Sequence, residues 1–148
     1  MRVYKLTDQD GYTRRGHENQ CLWGPGVRHS GTGKGGLCSS GYIHAYTSPL
    51  LAVLLNPIHA NINKPRLWEC DGGGKMLSDN GLKVGFVYLT TQKEMTLPII
   101  TTTQRVAFAI LCAKRVIKDS KWNLWADHWL DGTDRSAWAA AEAAAAAE

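Results

Sequence analysis

Between Gly11 and Gly41 lie nine of the chain's fifteen glycines, and among them stand Arg14, Arg15, His17, Arg28, His29 and Lys34. Glycines let backbone N–H groups converge on an anion, and arginine or lysine supplies the charge, so this mixture suits a phosphate. The run Ser30-Gly31-Thr32-Gly33-Lys34-Gly35-Gly36 has the glycines and lysine of a P-loop. It lacks the Gly-x4-Gly-Lys-Ser/Thr spacing, and Gly35 stands where the magnesium-binding hydroxyl belongs, so a Walker A motif is excluded. A surface loop with no ligand would have the same composition.

Tyr42, His44 and Tyr46 alternate, which places them on one face of a strand. An aromatic–histidine–aromatic face beside a basic loop could stack a base or a nicotinamide ring; it could equally be a packing face with polar tips. His17, Cys21, His29 and Cys38 have spacings that match no standard zinc site, so no metal is expected. His59 reads as an ordinary hydrogen-bonded histidine. Glu69 lies between apolar neighbours and could be a catalytic acid, but on an alternating strand the simpler reading is that it points to solvent. No Gly-x-Ser-x-Gly elbow or other complete hydrolase signature occurs, so no catalytic residue is assigned and no cofactor is called for. Trp122, Trp125 and Trp129 share one helical face: core packing first, a protein interface second.

These residues need elements to position them. Residues 2–8 alternate as a strand ended by Asp10-Gly11. Residues 11–41 show no periodicity and read as one long irregular segment. Residues 41–47 read as a strand. Ser48-Pro49 then caps a short helix, 49–56, apolar on every side and expected to be buried and to end before Pro57. Further strands are expected at 65–70, 82–91 and 94–100, with Asp71-Gly72-Gly73-Gly74 as a turn. Thr101 and Gln104 form a capping box for a helix over 102–118, and a second helix spans 121–130. Strands followed by helices predict an α+β single domain over 1–130, with a mainly antiparallel sheet, one inserted short helix and two C-terminal helices. Residues 131–148 form an Ala-rich helical tail.

The 148 residues carry a formal charge of +4, too little to announce a nucleic-acid binder. That charge is uneven: +3 over residues 1–41, +1 over 42–103, +3 over 104–130 and −3 over 131–148. No stretch approaches the ~20 apolar residues of a membrane helix, and the first residues show no apolar signal core. Cysteines at 21, 38, 70 and 112 make no CxxC pair, so reduced thiols in a cytosol are expected.

The run from Gly41 to Ala60, the strand Arg66-Leu67-Trp68-Glu69 and the Ala/Trp/Glu-rich tail together resemble a family of uncharacterised bacteriophage and prophage accessory proteins. That likeness implies origin rather than mechanism. A strand ending Tyr46-Thr47-Ser48, followed by a Pro-led helix, is similar to the core of ADP-ribosyltransferase-like domains. The likeness implies Arg2 or Tyr4 on an early strand, Tyr46-Thr47-Ser48 in the middle, and Glu69 or Glu94 late. The early strand holds no histidine and no late Glu-x-Glu follows.

Three classes of function follow. The first is a phage accessory protein of the host cytosol that inhibits a bacterial defence system by binding. Its partner would be a host effector protein or a phosphate-containing small molecule such as a nucleotide signal. The second is an NAD-dependent ADP-ribosyltransferase-like enzyme. The third is a self-associating, homo-oligomeric structural protein using the tryptophan face. The ligand-binding candidates are Arg14, Arg15, Arg28, His29, Lys34, Tyr42, His44 and Tyr46; the interface candidates are Trp122, Trp125 and Trp129.

Overall fold

The computed structural model describes residues 1–139. The fold is α+β with all its strand pairs antiparallel. The chain divides into two compact units, Met1–Ile99 and Ile100–Glu148.

The first unit is built on three strands. They are β1 (Arg2–Thr7), β6 (Arg66–Asp79) and β7 (Lys83–Met95). β6 pairs with β1 on one edge and β7 on the other. Short strands complete the sheet. β2 (Tyr12–Thr13) and β3 (Cys21–Leu22) make a separate two-stranded ladder. β4 (Arg28–Ser30) and β5 (Ile43–Ala45) both pair along the free edge of β7, against residues 88–90 and 84–86 respectively. Just past β5, Tyr46 exchanges two backbone hydrogen bonds of 2.8 Å with Tyr4 of β1. The path β1–β6–β7–β5 therefore returns to β1 and closes a small barrel at this single bridge. Its interior holds Val3, Ala45, Trp68, Cys70, Val84, Phe86 and Leu89, and Trp23 joins them from the Gly-rich segment.

Three expectations change here. The irregular segment 11–41 contains β2, β3 and β4, each too short to show a period. Asp71-Gly72-Gly73-Gly74 is not a turn: β6 continues through it with a bulge after Gly73, and the hairpin turns at Asn80-Gly81 instead. The glycines serve close packing, because a Cβ on Gly73 would stand 2.3 Å from the Tyr88 ring. Residues 96–100 form no strand, since β7 ends at Met95.

Helix α1 (Pro49–His59) starts as expected, with the Ser48 side chain accepting from Leu50 N–H and Pro49 in the first turn. It continues past Pro57, which lies in its last turn and forfeits only one ladder bond there. Asn56 fastens the exit: its side chain exchanges hydrogen bonds of 2.8 and 3.1 Å with the backbone of Ile62. The helix is not buried on every side. Ala52 and Leu55 are buried, whereas Leu50 and Ile58 are largely exposed.

The second unit holds α2 (Thr102–Ala113) and α3 (Ser120–Asp131). The Thr101–Gln104 capping box is formed in both directions. α2 stops at Ala113, short of the expected 118, and a turn follows. Asp119 caps α3, and Gly132 ends it in the left-handed conformation. Trp122, Ala126 and Trp129 pack with Ile110, with Trp125 partly buried against them. Of the expected Ala-rich tail, residues 140–148 lie outside the described residues.

Candidate functional site

The site begins with β1. Alternation turns Val3, Lys5 and Thr7 to one face, and all three are buried. Val3 packs in the barrel core, and Thr7 Oγ1 accepts from the Trp68 indole at 3.1 Å. Lys5 is thus a lysine at a core position, only 9% exposed. Its Nζ donates to the His44 carbonyl at 2.9 Å and lies 4.8 Å from the centre of the Trp23 ring. Burial pushes its pKa down to about 8 from 10.5, against the weaker pull of the neighbouring cysteines.

Two cavities, of about 280 and 300 Å³, share Lys5, Thr13, Arg14 and His44 as walls. Their shared walls join them into one cleft, and each cavity by itself is at the lower end of the range for small-molecule sites. Tyr42 and Ile43 line the first cavity; Tyr46, His59, His17 and Lys83 line the second. The face formed by Tyr42, His44 and Tyr46 therefore does flank the cleft. Each of these side chains is already held by a hydrogen bond. Tyr42 donates to Gly33 O at 3.0 Å, and His44 Nε2 lies 2.5 Å from Leu37 O. A carbonyl only accepts, so Nε2 carries the proton and the neutral ring leaves Nδ1 as an acceptor. Burial lowers the His44 pKa, which keeps that ring neutral. Burial also raises the Tyr46 hydroxyl to about 12, so it stays protonated, and it shares a hydrogen bond of 3.2 Å with His59 Nδ1. The Tyr46 and His59 rings stack, 5.9 Å apart and 11° from parallel.

The walls carry Lys5, Arg14, Lys83 and three histidines, and no aspartate or glutamate. Among the described residues none of the three cations has a carboxylate within ion-pair distance. Lys83 Nζ instead donates to Cys38 Sγ at 3.3 Å. Lys5 is buried, Lys83 half-buried and Arg14 exposed at the rim, and desolvated cations left without a counter-ion favour an anion beside them.

The other basic candidates serve elsewhere. Arg15 bridges Asp8 and Asp10 at 2.6 Å each and, by its hydrogen bond, draws the Asp8 carboxyl down to about 2. Arg28 stacks 3.7 Å from the centre of the Tyr88 ring. His29 hydrogen-bonds Leu22 O and meets the Trp23 ring edge-on. Lys34 is exposed at the loop surface and lines neither cavity. Glu69 pairs loosely with Arg2 and Lys93, and Glu94 pairs with Arg66; neither acid lines the cleft. Trp122, Trp125 and Trp129 all pack within the second unit. Among the described residues no group of three or more histidines, cysteines or acids could hold a metal. No described helix is long and apolar enough to cross a membrane. The four cysteines are free.

Lys5 and Lys83 carry the site, and neither stands out in the sequence. The only local sign for Lys5 is its place between two β-formers, Val3 and Thr7, on one strand face. Lys83 has no local sign; β7 delivers it to Cys38 across 45 residues.

No protein-family model, curated protein or solved structure matches this chain.

Proposed function

We propose that the first unit is a receptor for a small phosphate-bearing anion of nucleotide type, and that the protein acts by binding and sequestering it. The observation that carries this reading is the cleft in which Lys5, Arg14 and Lys83 converge with His44 and no carboxylate. The cations supply charge-assisted hydrogen bonds to phosphate oxygens, and the Tyr46–His59 stack offers a flat surface to a ring. Sequestration of a host nucleotide signal is what an inhibitor of a bacterial defence system requires, and it agrees with the likeness to phage accessory proteins. A transferase reading gains nothing from the cleft, because Glu69 and Glu94 lie in ion pairs outside its walls.

Thermal unfolding with cyclic nucleotides, NAD, ADP-ribose and pyrophosphate tests this. A bound ligand raises the melting temperature by mass action, by about 2.7 kcal/mol of added stability at a hundredfold excess over Kd. Absence of any rise at low salt with all four rejects the receptor. The double variant Arg14→Ala, Lys83→Ala should weaken the best ligand by about ten- to a hundredfold, the worth of a charged hydrogen bond. Arg28→Ala with Lys34→Ala should leave the affinity within about twofold, because screening weakens charges that do not contact the ligand. Calorimetric titration reads both, and the reverse ranking moves the site to the Gly-rich loop.

A further inference from the structure

Lys5 is a poor choice for an anchor that only attracts. Arg14 and Lys83 already provide charge at the cleft, and a buried ammonium without a carboxylate is a costly way to add more. The chemistry that rewards burying a lysine at a cavity wall is nucleophilic, because the neutral amine has a lone pair and the ammonium has none.

We infer that Lys5 is a reactive amine that captures a carbonyl group on a phosphorylated small molecule as an imine. The inference rests on the anion-receptor reading for the phosphate and on Lys5 itself for the bond. Its geometry is specific. The side chain lines both cavities, the Trp23 ring covers one flank, and the His44 carbonyl holds Nζ in place at 2.9 Å. With a pKa near 8, about a tenth of the amine is neutral at pH 7, hundreds of times the fraction of an exposed lysine.

The step balances without an oxidant or a metal. The lone pair of the neutral Nζ forms a bond to the carbonyl carbon as the C=O π bond breaks, and one Nζ proton passes to the oxygen to give a carbinolamine. The neutral His44 Nδ1, on the same wall, is the acceptor that relays it. The second Nζ proton passes to the hydroxyl, which leaves as water as the nitrogen lone pair forms the C=N bond. Capture and release are the same reaction in two directions, so the ligand is held covalently but reversibly.

The test treats the full chain with glycolaldehyde phosphate and cyanoborohydride, then maps adducts by mass spectrometry. The expected result is a dominant adduct on Lys5, forming at least about tenfold faster than on exposed lysines. Trypsin cleavage after Arg2 separates it from any adduct on the Met1 amine, which is bound to Asp71. Lys5→Met, checked for folding by circular dichroism, should lose the dominant adduct, and pyrophosphate should slow its formation. Equal labelling of exposed lysines, with Lys5 unmodified, overturns the inference. If pyrophosphate still binds in that case, the receptor reading stands alone. If Lys5 is labelled equally well by unphosphorylated glycolaldehyde and pyrophosphate has no effect, the reactive amine stands and the anion receptor falls.

Discussion

Lys5→Met is expected to stabilise the first unit at neutral pH by about 2 kcal/mol while removing covalent capture of a carbonyl ligand. The folded pKa near 8 lies below the ordinary 10.5, a difference worth about 3 kcal/mol, so at pH 7 folding must bury a charge that prefers water. Methionine keeps the length and volume of the stem without the charge. It forfeits the hydrogen bond to the His44 carbonyl, about 1 kcal/mol, which leaves the net gain near 2. The pH dependence gives a sharper check. Between pH 8 and 10.5 the unfolded lysine binds more proton than the folded one, so wild-type stability rises with pH through that window. Below pH 8 the penalty is fully present.

Two other groups act in the opposite sense. Burial raises the Cys70 thiol to about 12 from 9.0 and the Tyr46 hydroxyl to about 12 from 10.0. Each ionises more readily in the unfolded chain, so each costs stability as pH climbs past its unfolded value. The difference between wild type and Lys5→Met removes most of this background. In urea titrations the variant's advantage should shrink from pH 8 upward and vanish near pH 10. An advantage constant across that range, or a variant less stable at pH 7, would mean that Lys5 is not buried as a strained cation.

Gly41→Ala is expected to cost about 3 kcal/mol, the upper end for overpacking, and to remove the cleft along with the stability. The Gly-rich segment crosses itself at this point. A Cβ on Gly41 would stand 1.9 Å from the Lys34 carbonyl oxygen, and one on Gly31 would stand 2.4 Å from the Gly41 carbonyl oxygen. Both obstacles are backbone, so no side-chain rotation relieves them. The Gly41 carbonyl accepts from Gly33 N–H at 2.9 Å, and Tyr42, the next residue, is a wall of the first cavity. Moving the crossing therefore moves the wall. Gly36→Ala is the control: nothing lies within 4 Å of its Cβ position, and it should fall within about 0.5 kcal/mol of wild type. Equal midpoints in urea for the two variants would show that the crossing is not a tight contact.

Legibility divides along the same line as these contacts. Ser48-Pro49, the Thr101–Gln104 box and the tryptophan spacing on α3 were readable because caps and helical faces depend on residues within four positions. The alternation of Tyr42, His44 and Tyr46 was readable for the same reason, and it does bring all three to the cleft. The turn expected at Asp71–Gly74 was misplaced because its glycines answer to Phe86 and Tyr88, on the other strand of the hairpin. Among basic residues, composition marked the Gly-rich loop, yet Arg15 and Arg28 are taken up by Asp8, Asp10 and Tyr88. Which arginine is free for a ligand depends on partners, and partners are assigned by the fold.

By itself, the sequence determined the α+β class, the helix starts, the strand faces and the uneven basic charge. Those are consequences of local backbone hydrogen bonding and of side-chain period. Tertiary structure alone decided that Tyr4 meets Tyr46 to close the barrel, that Lys5 points inward, and that Lys83 arrives at the same cleft. The reason is physical: a cation's pKa and availability depend on desolvation and on neighbours brought from tens of residues away, and no local pattern encodes either.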